Sequence, residues 1–121
     1  MSVEQPPTRS RLSSARVRNA REALLSKQAA VVLEPIRGVI CEPTRTQIVR
    51  ALSAGPLSVG DLAAILERSK SATSQHLRVL REGGIVSARR RGRAVIYSLS
   101  PSPMVNATVE MLTQAAIIAA A

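Results

Sequence analysis

The sequence predicts a mainly α-helical chain with one β-hairpin near its C-terminal end, and three observations carry that expectation. Apolar residues recur at helical spacing over most of the chain. Between Ile85 and Leu99 the period falls to two, around Arg91-Gly92, which is a hairpin signal. Among 121 residues Tyr97 is the only aromatic, so the core must come from Leu, Ile, Val and Ala, which suits packed helices. That length makes one domain the natural expectation.

Residues 1–9 hold Pro6 and Pro7 and little that can pack, and are expected to form a disordered tail before a single domain over 10–121. Ser10 to Val32 contains no Gly or Pro. Val17, Ala20, Leu24 and Val31 share one side of a helical wheel, with Arg11 and Arg18 opposite, so one amphipathic helix with a basic back is expected. Pro35 and Pro43 each suit the first position of a helix, where the missing N–H is harmless. The first helix would be short, 35–41. The second, 43–54, would bury Ile48, Ala51 and Leu52 and stop at Gly55-Pro56.

Ser58 caps the next helix, through Leu66, with Asp61 in capping-box position and Leu62, Ile65 and Leu66 inward. A break at Glu67-Arg68 leads to a helix over 70–82 that Gly83-Gly84 ends. Two strands follow, Ile85–Arg90 and Arg93–Leu99, with Val95, Tyr97 and Leu99 on one face. After Pro101 and Pro103, Met104 to Ala120 forms a last helix. Apart from a polar stripe of Asn106, Glu110 and Gln114 it is apolar, so it is expected to pack on another protein surface.

Seventeen Lys and Arg against eight Asp and Glu give a net charge of +9, which points to nucleic acid or an anionic membrane surface. Residues 1–30 hold +4 of it and residues 83–100 another +4, so two contact zones are expected. The Ser- and Arg-rich start also mimics a mitochondrial leader, although it fits the fold as a helix. No apolar run reaches the length of a membrane span. A lone cysteine, Cys41, excludes an intramolecular disulfide framework and fits a reducing cytoplasm.

Helix 58–66, a tight turn, helix 70–82 and a hairpin make a helix-turn-helix followed by a wing. The second helix of such a pair enters the major groove. Leu77, Leu80 and Thr73 share the side that would seat it on the domain. Ser71, Ser74, Gln75 and Arg78 lie on the other, with Val79 outward beside them. Gln can pair with an adenine edge, Ser with base or phosphate, and Arg with guanine or phosphate. Arg89, Arg90, Arg91 and Arg93 surround one glycine with no acid nearby. They repel one another unless a phosphate backbone or a minor groove attracts them. The candidate DNA contacts are Lys70, Ser71, Thr73, Ser74, Gln75, His76, Arg78, Arg89, Arg90, Arg91 and Arg93.

Three stretches resemble the ArsR/SmtB family of bacterial winged-helix repressors: EPTRTQIVRAL at 42–52, SVGDLAAILERSKSATSQHLRVLREGGIV at 58–86 and RRRGRAVIYSL at 89–99. The marks are Pro43-Thr44-Arg45, then Ser71, Ser74, His76 and Leu77, then Leu80 and Gly84, and in the wing Gly92, Arg93 and Tyr97. The resemblance covers roughly 34–100. It implies a winged helix-turn-helix that dimerises through its N- and C-terminal helices, binds a near-palindromic operator in double-stranded DNA as a homodimer and releases it on an inducer.

The sensing chemistry departs from the family pattern. Metal-responsive members carry paired cysteines near the position of Cys41, or His and carboxylates on the last helix. Here Cys41 stands alone and that helix offers Glu110 and no His, so no metal site or other cofactor is expected. His76, the only histidine, reads as a packing or phosphate residue. Cys41 reads either as a small buried hydrophobe or as a redox sensor whose thiolate Arg45 stabilises. Control by a partner protein is a further alternative.

The basic N-terminal helix would join the dimer seam, with Arg11, Arg16 and Arg18 on flanking phosphates. Its rival role on a lipid surface is weakened by a narrow apolar face without Trp or Phe, so no membrane partner is expected. No acid/base pair, supported nucleophile or phosphate loop suggests an enzyme. The reading is a cytoplasmic, nucleoid-associated bacterial regulator. A basic protein-interaction or antitoxin-like module is the alternative of a different class.

Overall fold

The computed structural model describes the backbone from Arg11 and the side chains from Ser14 onward, so the tail expected at 1–9 lies outside the described residues. In chain order the elements are α1 (Arg11–Glu22), α2 (Lys27–Ile40), α3 (Pro43–Leu52), β1 (Leu57–Ser58), α4 (Val59–Leu66), α5 (Lys70–Glu82), β2 (Val86–Arg91), β3 (Ala94–Leu99) and α6 (Pro103–Ala120). Two units part between Val31 and Val32.

The helix expected over 10–32 is instead two helices. The hydroxyl of Ser26 accepts the N–H of Ala29 at 3.1 Å, which offers the backbone a new helix start and ends the first helix. Pro35 does not begin a helix but lies inside α2. It forgoes one backbone hydrogen bond there. Burial of Ile36 and Val39 holds the segment helical, so tertiary packing outweighs the local cost.

Pro43 does open α3. The carboxylate of Glu42 before it accepts the N–H groups of Thr44 at 2.9 Å and Arg45 at 3.2 Å, at the positive end of the helix dipole. The capping box at α4 is reciprocal: Asp61 N–H donates to Ser58 Oγ at 3.1 Å, and Ser58 N–H to Asp61 Oδ2 at 3.2 Å. Ile65, expected inward, is 57% exposed. An eight-residue helix presents one stripe to the core, and Leu62 and Ala63 supply its buried part, leaving Ile65 on an open groove with Gln47, Arg50 and Arg68.

Helices α4 and α5 end in the same bond pattern. Arg68 N–H reaches back to Ala63 O and Glu67 N–H to Ala64 O; Ile85 N–H reaches Leu80 O and Gly84 N–H Arg81 O. The residue in the left-handed region is Gly84 in one case, at φ 76°, and Glu67 in the other, at φ 54°. That turn at Glu67 sets the angle between the two helices, at a cost of about 1–2 kcal/mol for a residue with a Cβ.

The sheet is antiparallel in the order β1–β3–β2. Arg91 pairs with Ala94, so the turn falls on Gly92-Arg93, one residue beyond the expected Arg91-Gly92. Gly92 takes φ 60° and Arg93 is not positive, the sign pattern of a type II′ hairpin. Strand β1 pairs Leu57 with Tyr97 and Ser58 with Ile96. Two residues show no period, so it left no trace in the sequence.

Ile36, Val39, Ile48, Val49, Leu52, Leu62, Leu77, Leu80, Ile85, Val86 and Val105 form the core, with Tyr97 and Leu99 packed against it. On α6, Val105 and Thr108 are buried. Arg50 Nη1 donates to Thr113 Oγ1 at 3.1 Å, tying α3 to α6. Met111, Ile117 and Ile118 stay exposed, and so do Leu24, Leu25 and Val31 in the first unit.

Candidate nucleic-acid interface

Helix α5 is seated by three wholly or nearly wholly buried residues, Thr73, Leu77 and Leu80. They recur at three- and four-residue spacing, so the opposite face is left to solvent. Ser71, Ser74, Gln75, Arg78 and Val79 are exposed there, and Lys70 is exposed at the head of the helix, its side chain beside Gly60 of α4. The N-cap Ser69 accepts the N–H of Ala72 at 3.0 Å. It fixes the end of the helix that helix-turn-helix proteins present to base edges.

Thr73 must be withdrawn from the candidate DNA contacts. It is fully buried, and its Oγ1 donates to Ser69 O at 2.8 Å, so it seats the helix instead. Its β-carbon angle put it with Leu77 and Leu80 in the sequence as well.

His76 is half-buried and turned to the α2–α3 junction. Arg45 Nε donates to His76 Nδ1 at 3.3 Å, and Arg45 Nη1 donates to Gly38 O at 3.2 Å. An arginine N–H can only donate, so Nδ1 is the acceptor in this contact. Glu42 Oε2 lies 3.8 Å from the same Nδ1, outside hydrogen-bond range, and already caps α3. This tie between residues 45 and 76 spans 31 positions. No local pattern announces such a contact.

Arg78 Nε stands 3.6 Å from Glu82 Oε2, both side chains being largely exposed. An exposed i,i+4 pair contributes little and yields easily to a phosphate. Glu82, which sequence reading passed over, puts an acid at the far end of the outward face. That end repels phosphates, so anionic contact is favoured toward the start of α5.

The wing displays Arg89, Arg90 and Arg91 on β2 and Arg93 in the turn, all exposed. Strand alternation puts Arg89 and Arg91 on one face and Arg90 on the other. Arg89 and Arg91 border a groove with Pro56, Ser87, Ile96 and Ser98. Among the described residues no carboxylate pairs with any of the four. Such a cluster creates a positive local potential, which attracts an external negative charge.

Cys41 is exposed, not buried as its packing reading required. It follows the last turn of α2, with its N–H bonded to Arg37 O at 3.0 Å. Arg45, expected beside the thiol, is engaged by His76 and Gly38. Among the described residues no three His, Cys, Asp or Glu side chains converge as a metal site would need. No described helix is long and apolar enough to cross a membrane.

Comparison with known proteins supplies the context for this geometry. A family model described as bacterial regulatory protein, arsR family, matches residues 42–88. The chain is 42% identical over 82 residues to the HTH-type transcriptional regulator NmtR of Mycobacterium tuberculosis, a match covering 68% of this chain and 68% of that protein. It is 36% identical over 90 residues to the transcriptional repressor SmtB homolog of a Synechocystis strain, covering 74% and 68%. The structure of HlyU from Vibrio cholerae superposes with a TM-score of 0.69 at 36% identity, over 74% of this chain and 96% of that one. HlyU of that organism is described as a transcriptional activator.

Proposed function

The chain belongs to the ArsR family of bacterial regulatory proteins and is a DNA-binding transcriptional regulator, and from that premise we propose that it acts as a cytoplasmic, homodimeric repressor of a near-palindromic operator. Helix α5 of each protomer reads the major groove through Ser71, Ser74, Gln75 and Arg78. Lys70 takes phosphate at the head of the helix. Arg89, Arg90, Arg91 and Arg93 hold the backbone or enter the minor groove. The observation that carries this reading is the adjacency, in one unit, of an exposed polar face on α5 and an arginine wing without carboxylate partners.

His76 stays out of the base-reading set and holds α5 in place through Arg45. Gln75→Ala is expected to relax sequence preference at one or two base positions, costing about 1–3 kcal/mol there. Titration of operator and random duplexes checks it: equal loss on both would put Gln75 away from the bases.

Homodimerisation is supported by the apolar residues that α6 leaves uncovered, Met111, Ile117 and Ile118. Exposed large apolar side chains on a terminal helix are usual where two chains meet. Ile117→Glu is expected to shift the protein toward monomer in sedimentation at micromolar concentration, while leaving its circular dichroism unchanged. A dimer of unchanged stability would move the interface elsewhere.

Cys41 is retained as a redox input because its thiol is exposed at the end of α2. An added oxygen there would place polar bulk beside the α2–α3 junction. Mild peroxide is then expected to weaken DNA binding by the wild type and not by Cys41→Ser. Identical behaviour of the two proteins removes that role.

A further inference from the structure

We propose that the cleft between α2 and the recognition helix α5 is a binding site for a small apolar carboxylate, and that its occupancy loosens α5 through Arg45. This rests on the reading of α5 as the DNA-reading helix. The cleft measures about 220 Å³. Pro35, Gly38, Val79, Leu80 and Ile85 give it apolar walls, and the Arg45 side chain reaches its rim. Sites for drug-sized ligands run roughly 300–1,000 Å³, so the occupant must be smaller, on the scale of a single ring.

The charge of the occupant follows from the rim. Arg45 is half-buried, and among the described residues only two of its five N–H donors have protein partners, neither of them a carboxylate: His76 Nδ1 and Gly38 O. Glu34 also borders the cleft, but Arg37 pairs with it. The rim therefore offers a cation short of acceptors beside an apolar hollow. A carboxylate with a hydrocarbon body satisfies both halves at once, whereas a neutral apolar molecule would leave the guanidinium donors unmet.

The same arginine makes the site consequential. Arg–carboxylate bonds are charge-assisted and often two-pronged, about twice as strong as bonds to neutral acceptors. A bound carboxylate draws the guanidinium from His76, and α5 loses its side-chain tie to the α2–α3 junction. The ligand body meanwhile wedges against Val79 and Leu80 on α5 itself. Displacement of the helix away from its DNA-reading pose is the output, and the ligand gains only as much leverage as its preference for that displaced state.

The probe is benzoate, with benzamide as its uncharged match, followed by amide NMR of the full-length protein without DNA. Saturable shifts centred on Gly38, Val79 and Gly83 are expected with benzoate, at a Kd of roughly millimolar or tighter, and not with benzamide. Gly38→Leu fills the cleft and should abolish them. A Cβ at position 38 comes no nearer than 3.7 Å to Arg45, so the first carbon of the new side chain is tolerated. Arg45→Gln should abolish them as well. Equal responses to benzamide, shifts elsewhere, or benzoate binding that survives Gly38→Leu would overturn the site.

Benzoate should also weaken binding to the selected operator about fivefold or more in the wild type and leave Gly38→Leu unaffected. Benzoate binding without that loss overturns the regulatory step alone. If the protein binds no DNA, the functional reading fails while the amide shifts still decide the cleft.

Discussion

Replacing Arg89, Arg90, Arg91 and Arg93 together by glutamine is expected to cut affinity for every duplex, operator or random, by about 100-fold or more at physiological salt. The four side chains are exposed, sit on one hairpin and have no carboxylate partners among the described residues. Their removal therefore costs the fold little. Each phosphate they neutralise releases condensed counterions, so the slope of log affinity against log salt should flatten by about 0.9 per contact, up to about 3–4 units for the set. Glutamine keeps hydrogen bonding and removes charge, which separates the electrostatic contribution from the polar one. An unchanged slope would mean that the wing faces away from the DNA and that the basic cluster serves another polyanion.

Leu77→Ala is expected to destabilise the domain by about 2–5 kcal/mol, a large part of the roughly 5–15 kcal/mol that holds a typical domain folded. Leu77 is fully buried on the seating face of α5, against the core that α3 and α4 also build. The deletion leaves a cavity directly under the recognition helix. Val79 is the internal control: on the same helix, but 42% exposed. Val79→Ala should change stability by no more than about 0.5 kcal/mol, as surface substitutions do. Denaturant titration of both variants checks the pair. Equal effects would mean that α5 is rotated from the orientation described.

Much of this was legible in the sequence, because the signals were local. The capping box at Ser58 and Asp61, Pro43 opening α3, the two glycines after α5 and the alternation through Tyr97 and Leu99 are each set within a few residues. The seating face of α5 could be read from the spacing of Thr73, Leu77 and Leu80, and this spacing already conflicted with counting Thr73 among DNA contacts. The division at Ser26 was missed because a single hydroxyl cap competes with continued helix on nearly equal terms. Pro35 inside α2 was missed because burial of Ile36 and Val39, a tertiary effect, decides it. Arg45 bonded to His76 was out of reach for the same reason: a contact across 31 residues leaves no period to detect.

Sequencing of DNA fragments bound by the purified protein tests the central claim, that two copies of α5 read one duplex. Each protomer supplies a single reading helix, so a two-fold pair should enrich a near-palindrome whose half-sites lie about 10–10.5 base pairs apart, or a multiple of that, on one face of the helix. An enriched motif of that form is the expected result. No enrichment over random fragments, or a single unrepeated half-site bound by a monomer, would contradict it.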